Sequence, residues 1–295
     1  MAAALRAPRT LLGYASDWRA FTAWCGQANL TALPASVETV SNYLLDLLRR
    51  GRKVTTATRH ASGIAHQHRT HGHPSPCGLD VRQLLLGAQR LRGEQPHQKA
   101  AISLADLREM CGALGSGPRA VRNRAILLVG FATALRRSNL VALDLADVAI
   151  GDHGLVVGVR REKQDQLGRG RQIGVPPGRS RKTCPIRALR AWLEVRGNQP
   201  GPLFCGCGSG RPSGKRLHGN RIAKIVHEAA RAIGLDPKLY GGHSLRAGFI
   251  TAAGEAGAGE LLIAAHTGHR CMSVLRQYFR HTDLFRSNAC AMLGL

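Results

Sequence analysis

The chain has 295 residues, and 42 Lys and Arg against 18 Asp and Glu give a formal charge of +24, a balance that points to a polyanionic partner. Hydrophobic residues at 44% supply a packed core and exclude a disordered or fibrous chain, while aromatic residues at 4% are too few for a binder built on stacked single-stranded bases. No apolar run reaches membrane-spanning length, residues 1–12 lack a secretory leader, and the eight cysteines lack the spacing of a stapled domain, so reduced thiols in a cytoplasm are expected.

In chain order, Tyr14, Trp18, Phe21 and Cys25 recur at helical spacing between Arg9 and Gly26 and predict one buried helix face. A second helix is expected from the N-cap Ser36 to just before Gly51, with Val37, Val40, Leu44 and Leu47 inward. A third covers Thr55 to His71. Asp80 is expected to cap a fourth that carries Val81, Leu84, Leu85 and Ala88. The histidines at 60, 66, 68, 71 and 73 fit no zinc spacing and read as a polar helix face and loop.

The stretch RGEQPHQK from Arg92 to Lys99 has Gly and Pro but no apolar period, which predicts a helical domain at 1–92, a linker at 93–101 and a second domain at 102–295. Both domains are basic, with twelve cations against four carboxylates up to Arg92 and thirty against fourteen beyond it, as a two-sided clamp on duplex DNA would require. In the second domain, helices are expected over Ser103–Gly115, Arg119–Leu135, Arg187–Arg196 and His218–Ile233, with short helices after Ser244. Alternating Leu155, Val157 and Val159, the turn QLGRGRQ, then Ile173 and Val175 predict a small hairpin. Cys205-x-Cys207 offers only two clustered thiols, and the adjacent Gly206 and Gly208 read as an ordinary turn, so no metal is expected. The fold class is therefore mainly α with a small β-sheet.

Moving a phosphodiester bond without a metal needs cations around the nonbridging oxygens, a proton donor for the departing oxygen, and a nucleophile. The segments ATALRRSNLVAL, VRREKQDQLGRGRQIGVP, GGHSLRAG and TGHRCMSVLRQYFR supply all three, and together they resemble the tyrosine recombinase, or phage integrase, family over residues 102–295. The resemblance implies a helical (SAM-like) N-terminal core-DNA-binding domain and a C-terminal catalytic domain ending in a helix exchanged between protomers. It implies Arg136, Lys163, His243, Arg246, His269 and Tyr278 as catalytic residues, with Tyr278 the nucleophile. Arg136 and Arg246 would hold the phosphate in forked hydrogen bonds. Lys163 would protonate the leaving 5′ oxygen, since a lysine can surrender a proton that an arginine keeps. His243 would serve acid/base chemistry and His269 would bond a nonbridging oxygen.

Arg137, Arg160, Arg161, Arg169 and Arg171 are the expected phosphate contacts around this centre. The sequence departs from the family at Asn139, where an acidic residue commonly follows the first arginine by three positions; another carboxylate would have to substitute. By the same resemblance the protein needs no cofactor, binds double-stranded DNA in the nucleoid, and assembles as a homo-oligomer, a tetramer on two DNA sites, with room for an accessory directionality factor. A type IB topoisomerase, which uses a similar residue set as a monomer, and a non-enzymatic DNA-binding protein are the alternatives.

Overall fold

The computed structural model describes residues 8–93, 98–160, 162, 170–208 and 210–278. The chain divides into two compact units, Met1–His97 and Gln98–Leu295. The N-terminal unit is built from α1 (Pro8–Gln27), α2 (Val37–Arg49), α3 (Val54–Thr70) and α4 (Leu79–Arg92). Tyr14, Phe21 and Cys25 of α1 are buried as their spacing predicts, and Trp18 packs at the edge of the same core. The apolar stripe also carries the buried Asp17. Arg59 and His60 of α3 bind its Oδ1 at 3.0 and 3.2 Å, and the far side of the His60 ring meets Tyr43 Oη at 2.9 Å.

Ser36 caps α2 as predicted, accepting the Thr39 amide at 3.1 Å. The inward face is Val40, Tyr43, Leu44 and Leu48, and Val37 points outward. Asp80 is not a cap. Gly78 occupies that position and Asp80 lies in the first turn of α4, where its charge suits the helix dipole. His60 and His68 are interior hydrogen-bonding groups: the backbone amide of Ala35 donates to His68 Nε2 at 2.9 Å, which leaves Nδ1 as the donor to the Ile64 carbonyl.

The second unit contains α5 (Leu104–Ala113), α6 (Pro118–Ala132), α7 (Arg137–Ala142), β1 (Val148–Gly151), β2 (Gly154–Val159), β3 (Arg171–Val175), α8 (Pro185–Arg196), β4 (Cys205–Gly208), β5 (Arg211–Arg216), α9 (Gly219–Ala232), α10 (Ser244–Glu255), α11 (Glu260–Thr267) and α12 (Met272–Arg276). The expected hairpin is β2 and β3, antiparallel with Leu155 opposite Val175 and Val157 opposite Ile173. Three strands and the short helix α7 go beyond the sequence reading. β1 adds a third strand to that sheet, and Cys205-x-Cys207, read as a turn, is strand β4 paired with β5 in a second sheet. The core gathers α6, α8, α9 and the inner face of β2–β3 around Trp192, whose indole donates to the Leu203 carbonyl at 2.8 Å. Among the described residues no helix is long and apolar enough to cross a membrane, and no three His, Cys, Asp or Glu gather as a metal site.

The predicted helix through Leu135 ends early. α6 stops at Ala132, and the buried Ala134 takes a left-handed conformation at φ 49°, which turns the chain before Arg136 caps α7. α10 packs at very close range against the backbone just before α5. A Cβ on Gly248 would lie 2.2 Å from the Ile102 carbonyl oxygen, so only glycine permits the approach.

Candidate active site

Arg246 lies in the first turn of α10 and is only 2% exposed. The start of that helix is pinned by Ser244, whose Oγ accepts the Gly241 amide at 3.0 Å and whose carbonyl accepts the Ile102 amide at 3.2 Å. This orientation lets Arg246 Nη1 donate to the Ala134 carbonyl at 2.8 Å, while Nη2 reaches the His269 ring at 3.0 Å from Nε2. Burial, reinforced by Arg136, brings the guanidinium down to about 10, with Tyr278 and Glu162 opposing the fall. It remains a cation at neutral pH.

His269 follows the left-handed Gly268 that ends α11. Thr267 Oγ1 donates to the Ile263 carbonyl at 2.6 Å, so its contact with His269 Nδ1 at 2.7 Å makes Nδ1 the donor. Nε2 then accepts from Arg246. The hydrogen-bond network thus assigns a neutral ring protonated on Nδ1. Burial and the nearby arginines push its pKa down to about 4, in agreement. The Tyr278 ring stands 6.0 Å from that of His269, and Tyr278 packs on Ile250, Ile263, Ala264 and Leu275 just after α12. His243, at the N-cap of α10, is shifted below the ordinary histidine value by desolvation and by Arg137, Arg246 and Arg136.

Arg136 completes the cluster. Its Nη1 is buried without a hydrogen-bond partner among the described residues and lies 3.7 Å from Glu162 Oε1. Glu162 also accepts from Arg171 Nε at 3.2 Å and Nη2 at 3.3 Å, and from Asn139 Nδ2 at 3.5 Å. Arg171 Nη1 in turn donates to the His266 carbonyl at 2.7 Å. A buried donor left unpaired costs roughly 1–3 kcal/mol, a cost that an incoming anion would remove.

The sequence model of the Phage integrase family matches residues 101–284. An integrase/recombinase XerD homolog of Selenomonas ruminantium is 32% identical over 297 residues, spanning 96% of this chain and 85% of that protein. The chain belongs to the phage integrase family. It is a tyrosine recombinase, an enzyme that cleaves and rejoins DNA by way of a tyrosine. The recombinase Cre of Escherichia phage P1 is 25% identical over 288 residues, covering 90% of this chain and 82% of its own. The fold matches the Tn1549 transposon integrase in complex with transposon right end DNA, with TM-score 0.68, 14% identity and coverage of 98% of this chain and 94% of that one.

Of the residues the sequence singles out, the recombinase brings Arg136, His243, Arg246, His269 and Tyr278 into one neighbourhood. Arg137 opens α7 and packs its side chain against Gly242, beside His243. Arg171 faces the cluster through Glu162. Arg160 is turned elsewhere, its guanidinium held by Asp144 and Asp147, so its charge is already compensated within the protein. Lys163, Arg161, Arg169 and the expected C-terminal exchange helix beyond Tyr278 lie outside the described residues. Glu162 was not among the expected site residues. Its signal in the sequence was indirect: one of two carboxylates, with Asp165, in a mainly cationic hairpin, in a chain that has Asn139 where a relative would carry an acid.

Proposed function

We propose that this recombinase performs site-specific strand exchange through a 3′-phosphotyrosyl intermediate formed at Tyr278. The observation that carries the reading is the buried Nη1 of Arg136, which has no hydrogen-bond partner among the described residues, set beside Arg246, His269 and Tyr278: these are the donors and nucleophile that a phosphodiester undergoing in-line displacement requires. Arg136 and Arg246 bind the nonbridging oxygens. The Tyr278 oxygen attacks phosphorus, the bond to the 5′ oxygen breaks, and the tyrosine proton passes to His243, which its lowered pKa keeps neutral at working pH. Lys163 returns a proton to the departing 5′ oxygen. The tyrosyl ester conserves the energy of the broken bond, and the reverse attack by a 5′ hydroxyl reseals DNA without ATP.

His269 has a further task. Once a phosphate oxygen displaces the Arg246 contact, Nε2 can bond that oxygen only by carrying a proton, while Nδ1 keeps its bond to Thr267. DNA binding therefore favours the imidazolium, whose charge complements the pentavalent transition state. The similarity to recombinases and integrases supports exchange between two DNA sites by a homo-oligomer, a tetramer at full assembly, over relaxation by a monomeric topoisomerase.

The test is a denaturing gel for a covalent protein–DNA adduct on nicked duplexes taken from DNA flanking the coding gene. The wild-type chain forms an adduct and Tyr278→Phe binds the same duplex without one. An undiminished adduct in Tyr278→Phe refutes the nucleophile, and relaxation of supercoiled plasmid by isolated monomers at the rate of strand exchange favours the topoisomerase reading.

A further inference from the structure

Three guanidinium groups, those of Arg136, Arg171 and Arg246, crowd the floor of this site, and burial makes their mutual repulsion larger than it would be in water. Among the described residues, one carboxylate faces them. Glu162 is 8% exposed at its side chain, lies within 3.2–3.7 Å of Arg136 and Arg171, and receives the Asn139 amide on the same oxygen that faces Arg136. Its backbone lies three residues beyond the end of β2, whereas Arg136 caps α7, Asn139 lies within that helix and Arg171 opens β3. Through the bond from Arg171 to the His266 carbonyl, the same carboxylate is tied to α11, and Gly268 leaves no room between them: a Cβ there would meet Glu162 Oε2 at 2.7 Å and Arg171 Nε at 2.8 Å.

We propose that Glu162 is the positioning residue of this recombinase: its carboxylate fixes Arg136 and Arg171 in the arrangement that receives the scissile phosphate. The inference rests on the function proposed above. The carboxylate is not a phosphate ligand, because its charge would repel one; it acts through the arginines. Asn139 contributes the amide that orients the carboxylate. Arg171 becomes a third guanidinium of the phosphate pocket, held ready by the same contact.

This role makes an unusual prediction of sign. A negative charge beside bound DNA weakens binding by simple electrostatics, so Glu162→Gln removes a repulsion and leaves duplex affinity equal or tighter. Were electrostatics its whole effect, cleavage would also quicken. Positioning predicts the opposite split: the amide keeps the shape of the side chain but loses the charge that orders two guanidiniums, and misplacement of catalytic groups costs about 10- to 100-fold in rate.

The experiment measures duplex affinity, melting temperature and single-turnover adduct formation for wild type, Glu162→Gln, and Glu162→Gln combined with Asn139→Asp. The expected result is an adduct rate lowered about 10- to 100-fold in Glu162→Gln at undiminished affinity, and recovered at least fivefold in the double variant, because the side chain at 139 already meets the Glu162 oxygen that faces Arg136, so a carboxylate there returns a negative charge beside the guanidiniums. A rate equal to or above wild type in Glu162→Gln overturns the proposal, as does a slow variant that the second substitution fails to rescue. On a substrate with sulfur at the 5′ bridging position, which departs without a proton, Glu162→Gln keeps its defect. Recovery on that substrate would transfer the role to Lys163 and also overturn the proposal. If Glu162→Gln does not fold, Glu162→Asp, which retracts the charge, replaces it with an expected loss of at least threefold, and an unaltered rate refutes the inference. Failure of wild type itself to form an adduct counts against the proposed function, not against Glu162.

Discussion

Replacing Arg246 by lysine keeps a cation at the site while changing the pKa at which that cation survives. Burial beside Arg136 already draws the guanidinium down to about 10. The same surroundings acting on an ammonium, whose ordinary value of ~10.4 already lies below that of a guanidinium, would draw it further down, so Arg246→Lys loses its charge at a lower pH than the arginine does. Geometry adds a second loss. Arg246 uses one nitrogen on the Ala134 carbonyl and the other on His269, the edge open to phosphate, and a lysine has no fork with which to serve both. Losing one preorganised donor to a developing charge costs about 3 kcal/mol, or roughly a hundredfold in rate. Single-turnover adduct formation from pH 6.5 to 9.5 reads both effects. The lysine variant should run about a hundredfold below wild type at the acid end. Because a lysine is charged below its pKa and burial lowers that pKa, its deficit should then widen toward the alkaline end, while the wild-type arginine stays charged. A deficit that is constant across this range would falsify the assignment of Arg246 to a desolvated, phosphate-facing position.

Acid should destabilise the fold through His269: its folded pKa of about 4 lies below the ordinary 6.5, so the unfolded chain binds the extra proton first, and stability falls as pH drops from about 6.5 to about 4. Allowing for partial exposure, about 1–2 kcal/mol is at stake; urea melts at pH 7 and 4.5 should show a smaller difference in His269→Gln than in wild type, and an equal difference refutes the sign. Gly248→Ala forces a methyl group against the Ile102 carbonyl and the Phe131 ring and should cost about 3 kcal/mol, seen as a lowered melting temperature of the catalytic unit; a variant as stable as wild type contradicts the close packing. Ser103→Ala breaks the reciprocal cap with Asp106 at the start of α5 and should lower stability by ~1 kcal/mol while leaving adduct formation per folded molecule unchanged.

The longer helices of both units were legible because apolar residues repeat along them, and the β2–β3 hairpin because Leu155, Val157, Ile173 and Val175 alternate, whereas the six-residue α7 was not. β4 and β5 were not. The sequences CGCG and RPSGKR lack the β-branched residues that announce a strand, and their ladder with each other and the packing of Cys205 supply what propensity does not. Helix ends were misread where backbone conformation decides them: nothing in the letters of Ala134 announces a left-handed residue, and Gly78 caps α4 without any side chain to signal it. Asp17 escaped notice for the opposite reason, since its charge sits on an apolar stripe and is tolerated only because Arg59 and His60 meet it from another helix. Glu162 belongs to the same class. Its partners lie at positions 136, 139 and 171, and only the folded chain brings them to one oxygen pair.

Ala134 links the two arginines in a way that side-chain substitution leaves intact. A left-handed non-glycine residue costs about 1–2 kcal/mol, and here it turns the main chain so that one carbonyl receives Arg246 while the second residue beyond it is Arg136. Both side chains thus take their bearings from one three-residue stretch of backbone, Arg136 by its covalent attachment and Arg246 by its hydrogen bond to the carbonyl. Substitutions in the surrounding shell, Glu162 among them, change how each guanidinium is aimed, while these two points of attachment stay with the main chain.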